Sequence, residues 1–360
     1  MVARSRSMVS TREGGYTARF GTAFPSFSGG EIFRSSSSCD DIVGSGDNAP
    51  FHVHKEEWTG GVINKPYTSY YTGYFVDYVA DICRGPVVTH LSVDSPTSTA
   101  AATSGAARTN PSRPYIDIPV EAGQLAEIVS LLRFRGAGLI RQLAGSNLEL
   151  QFGILPVMDD LDKLLNLSDQ IDRRVRELNK LRSNRGLRRT ISIGTYSASE
   201  QQTLYVQTQN LFIQEVFDVN TTETVKVHCR WMPDDVSHLA TDPAMRALAT
   251  LAVTGMTLDP STAWELIPWT WLVDYFTTVG QYFSANRNVV GATLSDVSVM
   301  RHTVTTATAQ AVDVDGAHFE GCTSLCEDKR RVTSYTSVSA DLHLLTENQV
   351  GLVASIVATR

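Results

Sequence analysis

The side chains with the clearest chemistry are the basic ones between Lys163 and Arg189. This segment holds nine basic residues and three acidic ones, in a chain whose formal net charge is −7. Seven of the nine are arginine, whose planar guanidinium donates paired hydrogen bonds to phosphate oxygens. The segment therefore predicts a surface for nucleic-acid phosphates. A solvated helix face with internal ion pairs is the alternative explanation of the same composition.

The candidate phosphate-binding residues form two groups. The first group lies in the basic segment, and the second lies on the predicted helix that precedes it. The first consists of Arg173, Arg174, Arg176, Lys180, Arg182, Arg185, Arg188 and Arg189, and the second of Arg133, Arg135 and Arg141.

Two other patterns could bind a metal, but the sequence completes neither. His52 and His54 would point to the same side of a strand, yet their segment has the character of a loop and no third ligand can be named. A closed zinc site needs four ligands. Cys322 and Cys326 are spaced too widely for a redox CxxC motif, which favours a buried or incidental pair. We therefore expect no metal site.

Composition and motifs narrow the function further. Phosphate-loop, dinucleotide-binding, zinc-protease and serine-hydrolase motifs are absent from the sequence, so we expect neither an enzyme nor a cofactor. Hydrophobic residues make up 42% of the chain, which excludes a wholly disordered protein. No run of about 18 apolar residues occurs, so we expect no membrane span. The five scattered cysteines fit synthesis in a reducing compartment.

The elements that must position these residues alternate between a β and a helical periodicity. Residues 1–119 are predicted as a β region, 120–187 as helical, 188–236 as a long β hairpin, 237–292 as helical, and 293–360 as β with a C-terminal segment. The expected fold is an elongated α+β molecule. It would combine a helical bundle region with an extended antiparallel β-sheet region, the chain alternating β-α-β-α-β.

Four local patterns give finer expectations. The stretch Ser95–Pro114 has no large apolar side chain and predicts a flexible surface loop. Residues 220–222 are typical of the turn between two long strands. Asp242 precedes Pro243, which predicts a helix that begins with Asp242 as its N-cap. Asp315 precedes Gly316, a pair typical of a hairpin turn.

Three of the five tryptophans lie in one short run that predicts a large core helix. The run is Trp264-x-Leu266-x-Pro268-x-x-Trp271-Leu-Val-Asp274-Tyr-Phe276-x-x-Val279-Gly280. It resembles the most characteristic stretch of the maturation proteins (A proteins) of single-stranded RNA bacteriophages, the leviviruses. The run Phe152-Gly153-x-x-Pro156 is similar to the family's aromatic-Gly-x-x-Pro element before a long helix. The order of the two motifs and their separation also fit the family.

The resemblance implies a function in the phage particle. A maturation protein of this kind is present as one copy at the capsid surface, where it takes the place of a coat-protein dimer. Its helical region binds stem-loops in the 3′ region of the phage genomic RNA. Its β region attaches to a bacterial pilus, and the protein accompanies the RNA into the cell. The implied partners are therefore genomic RNA, phage coat protein and pilin, and synthesis takes place in the host cytoplasm.

The surface that would bind the pilus is less clearly marked. Tyrosine is favoured at interfaces, and a tyrosine-rich stretch in the first β region supplies the candidates Tyr67, Tyr70, Tyr71, Tyr74 and Tyr78. Packing within the sheet explains them equally well. The alternative function is a cell-envelope interaction protein or lysis effector that does not bind the genome. A third class is an enzyme that acts on nucleic acid.

Overall fold

The computed structural model divides the chain into two compact units. It describes residues 2–20, 24–44, 49–61, 63–64, 68–71, 74–77, 89–115, 166–182, 186–208, 211–235, 239, 241–256, 279–314 and 317–333. Unit 1 comprises Met1–Ser95, Ser192–Lys226 and Val299–Thr333. Unit 2 comprises Pro96–Ile191, Val227–Ser298 and Ser334–Arg360.

Most of the regular structure is β. The strands are β1 (Val2–Phe20), β2 (Phe24–Val43), β3 (Phe51–Gly60), β4 (Ile63–Asn64), β5 (Thr68–Tyr71), β6 (Tyr74–Asp77), β7 (Leu187–Thr208), β8 (Leu211–Pro233), β9 (Ala292–Ala309), β10 (Val312–Val314), β11 (Ala317–Phe319) and β12 (Cys322–Thr333). Nine of them form one sheet in the order β5-β6-β1-β2-β3-β12-β9-β8-β7, and β10, β11 and β4 form a small second sheet.

Four helices are found in the described ranges. They are α1 (Ser98–Thr109), α2 (Leu167–Arg182), α3 (Asp242–Thr254) and α4 (Val279–Asn286). The longest of these helices has 16 residues, whereas β8 has 23. None of these helices is long and apolar enough to cross a membrane.

The expected fold class is wrong. We expected a helical bundle region within a chain that alternates β-α-β-α-β, but the structure is mostly β and is organised around an antiparallel sheet. The sequence pattern underestimates the strands because residues typical of loops lie inside them. Ser36, for example, lies within β2 and pairs with Val9 of β1 on one side and Glu56 of β3 on the other. Ladder hydrogen bonds to two neighbours satisfy such a backbone whatever its side chain.

The predicted hairpin of residues 188–236 forms with a different turn. Residues 220–222, expected to be the turn, lie in the middle of β8. The chain instead reverses between Thr208 and Leu211, where β7 ends and β8 begins. Side-chain hydrogen bonds from Gln201 to Asp218 and between Thr195 and Thr224 follow this register. Two long strands therefore occupy this segment, and the turn between them lies about ten residues before the predicted one.

The hairpin predicted at Asp315 and Gly316 is supported by its flanking strands. Val314 of β10 pairs with Ala317 of β11, and Val312 pairs with Phe319. Phe319 is buried in a cluster that β8, β9 and β12 also supply. The cluster consists of Phe217, Val219, Ala307, Ala309, Phe319 and Cys322, with Leu91 and Val312 packed against it. This cluster is a hydrophobic core of unit 1.

Helix α3 begins one residue earlier than its sequence predicts. Its N-cap is Thr241, whose side-chain oxygen accepts a hydrogen bond from the Ala244 amide. Asp242 instead occupies the first turn, where a negative charge faces the positive end of the helix dipole. Gly255 ends the helix with φ +63°, a left-handed conformation that glycine adopts without steric cost.

The stretch Ser95–Pro114 is not the flexible surface loop that we expected. Most of it forms α1, and that helix is largely buried. Its composition explains the error, because its buried side chains are small. Alanine favours helix, and small side chains let a helix approach its neighbours closely. The buried residues of α1 are Ala101, Ala102, Thr103, Gly105, Ala106, Ala107 and Thr109.

Helix α1 approaches β8 closely at Gly105, within unit 2. A Cβ atom at this position would lie 2.4 Å from Val227 Cγ1 and 2.7 Å from Val227 Cβ. Val227 is itself fully buried, so it has little room to move. A side chain at residue 105 would therefore force Val227 or α1 to shift.

We expect Gly105→Ala to destabilise unit 2. Alanine adds about 1 kcal/mol of helix propensity, but overpacking a closed core costs about 1–3 kcal/mol. Thermal unfolding followed by circular dichroism should show a lower midpoint for Gly105→Ala. The control Ser104→Ala, one residue away and partly exposed, should unfold at the wild-type midpoint or above it.

A second background makes the steric cause testable. In a chain that carries Val227→Ala, the space beside Gly105 opens, and Gly105→Ala should become neutral or stabilising. If the substitution destabilises both backgrounds equally, contact with Val227 is not the reason for the glycine.

Candidate functional site

The structure places five of the predicted phosphate-binding residues on α2. They are Arg173, Arg174, Arg176, Lys180 and Arg182. Arg188 and Arg189 begin β7. Arg133, Arg135, Arg141 and Arg185 lie outside the described residues.

Helix α2 is amphipathic, and this fixes which way its arginines point. Leu178 and Leu181 are fully buried, and the helix packs against α3. Asp169 lies in its first turn and Arg182 in its last, the ends at which the helix dipole favours each charge. Burial of the side that carries Leu178 and Leu181 leaves the opposite side of the helix at the surface of unit 2, where Arg173, Arg176 and Lys180 are exposed.

Arg174 is an exception, because it is a structural residue. Its side chain is only 12% exposed. The guanidinium donates to the carbonyl oxygen of Pro111 at 2.7 Å and to that of Arg113 at 2.8 Å. Burial lowers its pKa below the usual value, an effect that Glu177 opposes and Arg189 and Arg113 reinforce. An arginine is charged at any ordinary pH, so Arg174 joins the turn after α1 to α2 as a buried cation.

Glu177 holds two of the predicted residues together. One carboxylate oxygen lies 3.2 Å from Arg174 Nη1, and the other forms an ion pair with Arg189. Arg189 also donates to the carbonyl oxygen of Thr109 at 3.1 Å. The side chain of Thr109 accepts a hydrogen bond from the Trp231 indole at 3.2 Å. Arg174 and Arg189 therefore belong to one fixed network within unit 2.

Asn110 and Ser112 hold the same turn against α4. The Asn110 side-chain amide donates to the carbonyl oxygens of Ser284 and Ala285 at 3.0 and 3.1 Å. These carbonyls lie in the last turn of α4, where a helix has no internal partners for them. The Ser112 hydroxyl accepts from the amides of Val289 and Val290, both at 3.0 Å. The backbone at this turn is therefore fixed from both sides.

These elements enclose a polar cleft of about 500 Å³, which we call the arginine cleft. Its walls contain five arginines and one glutamate. The lining residues are Arg108, Asn110, Arg113, Pro114, Tyr115, Gln170, Arg173, Arg174, Glu177, Arg189 and Val253. The volume is in the range of small-ligand sites, so the cleft could take phosphate and ribose groups but not a duplex.

Two of the cleft arginines were missed by the sequence analysis. Arg108 lies in the last turn of α1 and Arg113 follows that helix, in the stretch that we expected to be a flexible surface loop and a further candidate for pilus binding. A signal was present, since both are arginines in a segment otherwise free of charge. What the sequence could not provide was the helix that brings this segment beside α2.

The arginines of the cleft differ in their exposure and in the hydrogen bonds and ion pairs that hold their side chains. Arg113 and Arg173 are exposed, and no hydrogen bond or ion pair of their side chains occurs among the described residues. Arg174 and Arg189 are held by carbonyl groups and Glu177. The fixed pair supplies positive charge to the cleft, and the exposed pair can move to meet a bound anion.

The remaining candidates of the sequence analysis lie in unit 1. His52 and His54 lie on β3 rather than in a loop, and both contact Asp328 of β12. Cys322 and Cys326, on β12, are both buried and unbonded to each other. The backbones of Tyr70, Tyr71 and Tyr74 lie on β5 and β6. Tyr67 and Tyr78 fall outside the described residues.

Comparison with known families identifies the class of protein. The sequence pattern of the family described as phage maturation protein matches residues 121–315, which is more than half of the chain. The chain belongs to the phage maturation protein family. This confirms the resemblance to levivirus maturation proteins, and both motifs that carried it lie within the matched residues. A search of curated proteins found no match.

Family membership gives the protein a maturation role in the phage particle. It is a component of the virion, from a family of virion proteins and not of known enzymes. The family match includes α2 and its arginines but not Arg108 or Arg113.

We expect Arg174→Met to destabilise unit 2, because it leaves the carbonyl groups of Pro111 and Arg113 without their charged donor and leaves Glu177 with Arg189 alone. Hydrogen bonds to a charged group contribute about 1.5–3 kcal/mol each, so a loss of about 2 kcal/mol or more should appear in urea unfolding. Arg173→Met is the matched control, since it removes the neighbouring exposed arginine. Equal loss of stability in the two variants would contradict the structural role of Arg174.

Proposed function

We propose that this maturation protein binds the genomic RNA of its phage through the arginine cleft and the exposed face of α2. The observation that carries the proposal is the convergence of Arg108, Arg113 and Arg173 with the fixed pair Arg174 and Arg189. The protein as a whole is acidic, so such a concentration of positive charge is local.

The chemistry of the cleft favours phosphate over other anions. Guanidinium groups pair with two phosphate oxygens at once, and several of them can follow successive phosphates of one strand. The cleft is too small for a duplex, so it would take backbone at the surface of a stem-loop. Structured RNA is recognised largely by shape and by phosphate and ribose contacts. The binding site would therefore select a folded RNA segment with limited dependence on base identity.

Arg113→Gln combined with Arg173→Gln should weaken RNA binding without unfolding the protein. Each lost phosphate contact lowers the slope of log K against log salt concentration by about 0.7–0.9, so the double variant should lose between one and two units of slope. Filter binding of a stem-loop from the 3′ region of the phage genome, at several salt concentrations, measures this slope.

The matched control is Arg12→Gln combined with Arg330→Gln. It removes the same charge from two exposed arginines of unit 1. If both double variants lose the same affinity and slope, binding reflects total charge, and the cleft is not the RNA site.

We also propose that unit 1 attaches the virion to a bacterial pilus. Support comes from β1, which pairs with β2 along its length but with β6 only at Arg19 and Phe20 in the described part of the sheet. Val2, Met8 and Val9 of β1 are among the most exposed large apolar residues described, at 69%, 67% and 58%. Exposed apolar side chains beside an open strand edge are suited to a protein partner. The candidate tyrosines Tyr70, Tyr71 and Tyr74 belong to the strands β5 and β6 of the same sheet.

Met8→Asp combined with Val9→Asp should reduce adsorption of virions to piliated cells. A charge buried without a partner at an interface costs more than about 1.4 kcal/mol, which corresponds to at least about a tenfold loss of affinity. Ser7→Asp combined with Ser10→Asp adds the same charge at polar positions of the same strand. Comparing adsorption to piliated and pilus-free cells distinguishes attachment to the pilus from nonspecific adsorption. Unchanged adsorption of the Met8 and Val9 variant would reject β1 as the contact.

The family resemblance also implies a copy number, a place in the capsid and a site of synthesis for the protein. One copy of the chain would replace a coat-protein dimer at the capsid surface after synthesis in the host cytoplasm. The coat contacts and the RNA contact would together hold that copy in the particle, and the pilus contact would face outward.

A further inference from the structure

Five side chains that can bind a metal converge on one face of the unit 1 sheet. His54 of β3 lies directly opposite Asp328 of β12 in the strand register. Cys326 precedes Asp328 by two residues, so the two side chains point to the same face. His52 lies two residues from His54 on β3, and His90 approaches from the segment before α1. These residues are far apart in sequence and meet only in the folded sheet.

We propose that His54, Cys326, Asp328 and His90 bind one Zn²⁺ ion. The donor atoms of His54, Cys326 and Asp328 all lie within 4.8 Å of one another. His90 Nε2 lies 2.8 Å from Asp328 Oδ2 and 3.7 Å from Cys326 Sγ. It lies outside the group of three whose donor atoms are mutually close, so as the fourth ligand it would move toward that group when the metal binds. His54 Nδ1 lies 3.0 Å from the other oxygen of Asp328.

These separations agree with the size of a zinc site. Zinc lies about 2.0–2.3 Å from nitrogen, oxygen and sulfur ligands, so neighbouring donor atoms of a tetrahedron are about 3.3–3.8 Å apart. The separation of His90 Nε2 from Cys326 Sγ already falls in this range. His90 Nε2 and His54 Nδ1 lie 2.8 and 3.0 Å from different oxygens of Asp328. To present one of these oxygens to the metal, the carboxylate would turn and the histidines would move away from it by about 0.3–1 Å. The three side chains are partly exposed, which leaves room for such rotations.

Each proposed histidine ligand is oriented by a partner on its other ring nitrogen. His90 Nδ1 lies 2.7 Å from the Thr305 hydroxyl. His54 Nε2 lies 3.2 Å from a carboxylate oxygen of Glu56. Metal-binding histidines almost always donate their second N–H to a carboxylate, a carbonyl or another polar group. The outer partners therefore leave His54 Nδ1 and His90 Nε2 directed at the cluster.

The outer partner of His90 is itself fixed. Thr305 is fully buried, and its hydroxyl lies 2.6 Å from that of Thr221. The Leu91 amide donates to the Thr221 hydroxyl at 3.1 Å. Because Leu91 follows His90 in the chain, this network holds both the imidazole and its backbone in place. Such preorganisation lowers the entropy lost when a metal binds.

The donor set selects zinc from the common biological cations. Three of the four ligands, one thiolate and two imidazoles, are soft to borderline donors, which Ca²⁺ and Mg²⁺ do not prefer. Zinc accepts these donors together with a carboxylate oxygen. Burial, together with the charges of Asp328 and Glu56, raises the pKa of the Cys326 thiol to about 11. Zinc would therefore displace the thiol proton to solvent as the sulfur–zinc bond forms. His52, 2.9 Å from Asp328 Oδ1, would remain a hydrogen-bond partner of that carboxylate.

The site would act as a cross-link within unit 1. It would join β3, β12 and the segment that carries His90. Because such a site does not exist in the unfolded chain, the free energy of zinc binding would add to the stability of the fold. Zinc binding at this site does not depend on RNA binding or on pilus binding.

The test is metal binding by the purified full-length chain. The protein is stripped with a chelator and titrated with Zn²⁺ in competition with a chromophoric chelator, and Co²⁺ is added to a second sample as a spectroscopic probe. We expect one Zn²⁺ per chain, a higher midpoint of thermal unfolding with Zn²⁺, and a Co²⁺ spectrum with a thiolate charge-transfer band and tetrahedral d–d bands. The proposal is overturned if the chain binds no Zn²⁺, or if bound Co²⁺ lacks the thiolate band.

Matched variants identify the ligands. Cys326→Ala and His54→Gln should each weaken Zn²⁺ binding by more than about 100-fold, since loss of an outer partner alone costs about 10- to 100-fold. Cys322→Ala removes an equally buried thiol of the same strand, and His318→Gln removes a histidine paired with Asp313 elsewhere in unit 1. Both controls should leave the Kd unchanged. His54 is partly exposed, so its variant should fold even if Cys326→Ala does not, and wild-type affinity in His54→Gln would also overturn the assignment.

Discussion

The close contact between α1 and β8 at Gly105 is the constraint on which the organisation of unit 2 depends. With no side chain at this position, the helix approaches Val227 closely enough to be buried along most of its length. The turn that follows α1 is then held by Asn110, which occupies carbonyl groups at the end of α4. A single small residue thus determines where the next few residues of the chain must lie.

The position of that turn divides the arginines of the basic segment into two kinds. Arg174 and Arg189 donate to carbonyl oxygens of the turn and of α1, and Glu177 pairs with both. Their charges stabilise the fold of unit 2, in agreement with the alternative explanation that the basic helix carries internal ion pairs. Arg173 remains exposed beside them. The explanation by an internal network is therefore correct for Arg174 and Arg189, and nucleic-acid binding by the exposed residues stays a proposal.

A similar principle operates in unit 1, where strand register brings together what the sequence separates. The histidine pair of β3 and the cysteines of β12 each looked incomplete when they were considered alone. Antiparallel pairing places His54 opposite Asp328, and alternation along β12 directs Cys326 to the same face. The segment before α1 then adds His90. A cluster assembled from three distant segments has no signature that spacing rules could detect.

The sequence by itself determined the family, the amphipathic basic helix and the hairpin that β10 and β11 form. These features depend on local composition and periodicity, which a short stretch of sequence is enough to reveal. It did not determine the true turn of the β7–β8 hairpin, the length of the strands or the nature of α1. Hydrogen bonds to neighbouring strands override local turn preference in the first two cases. In the third, a helix of small residues is buried only because its partners fit it, and that fit exists only in the tertiary structure.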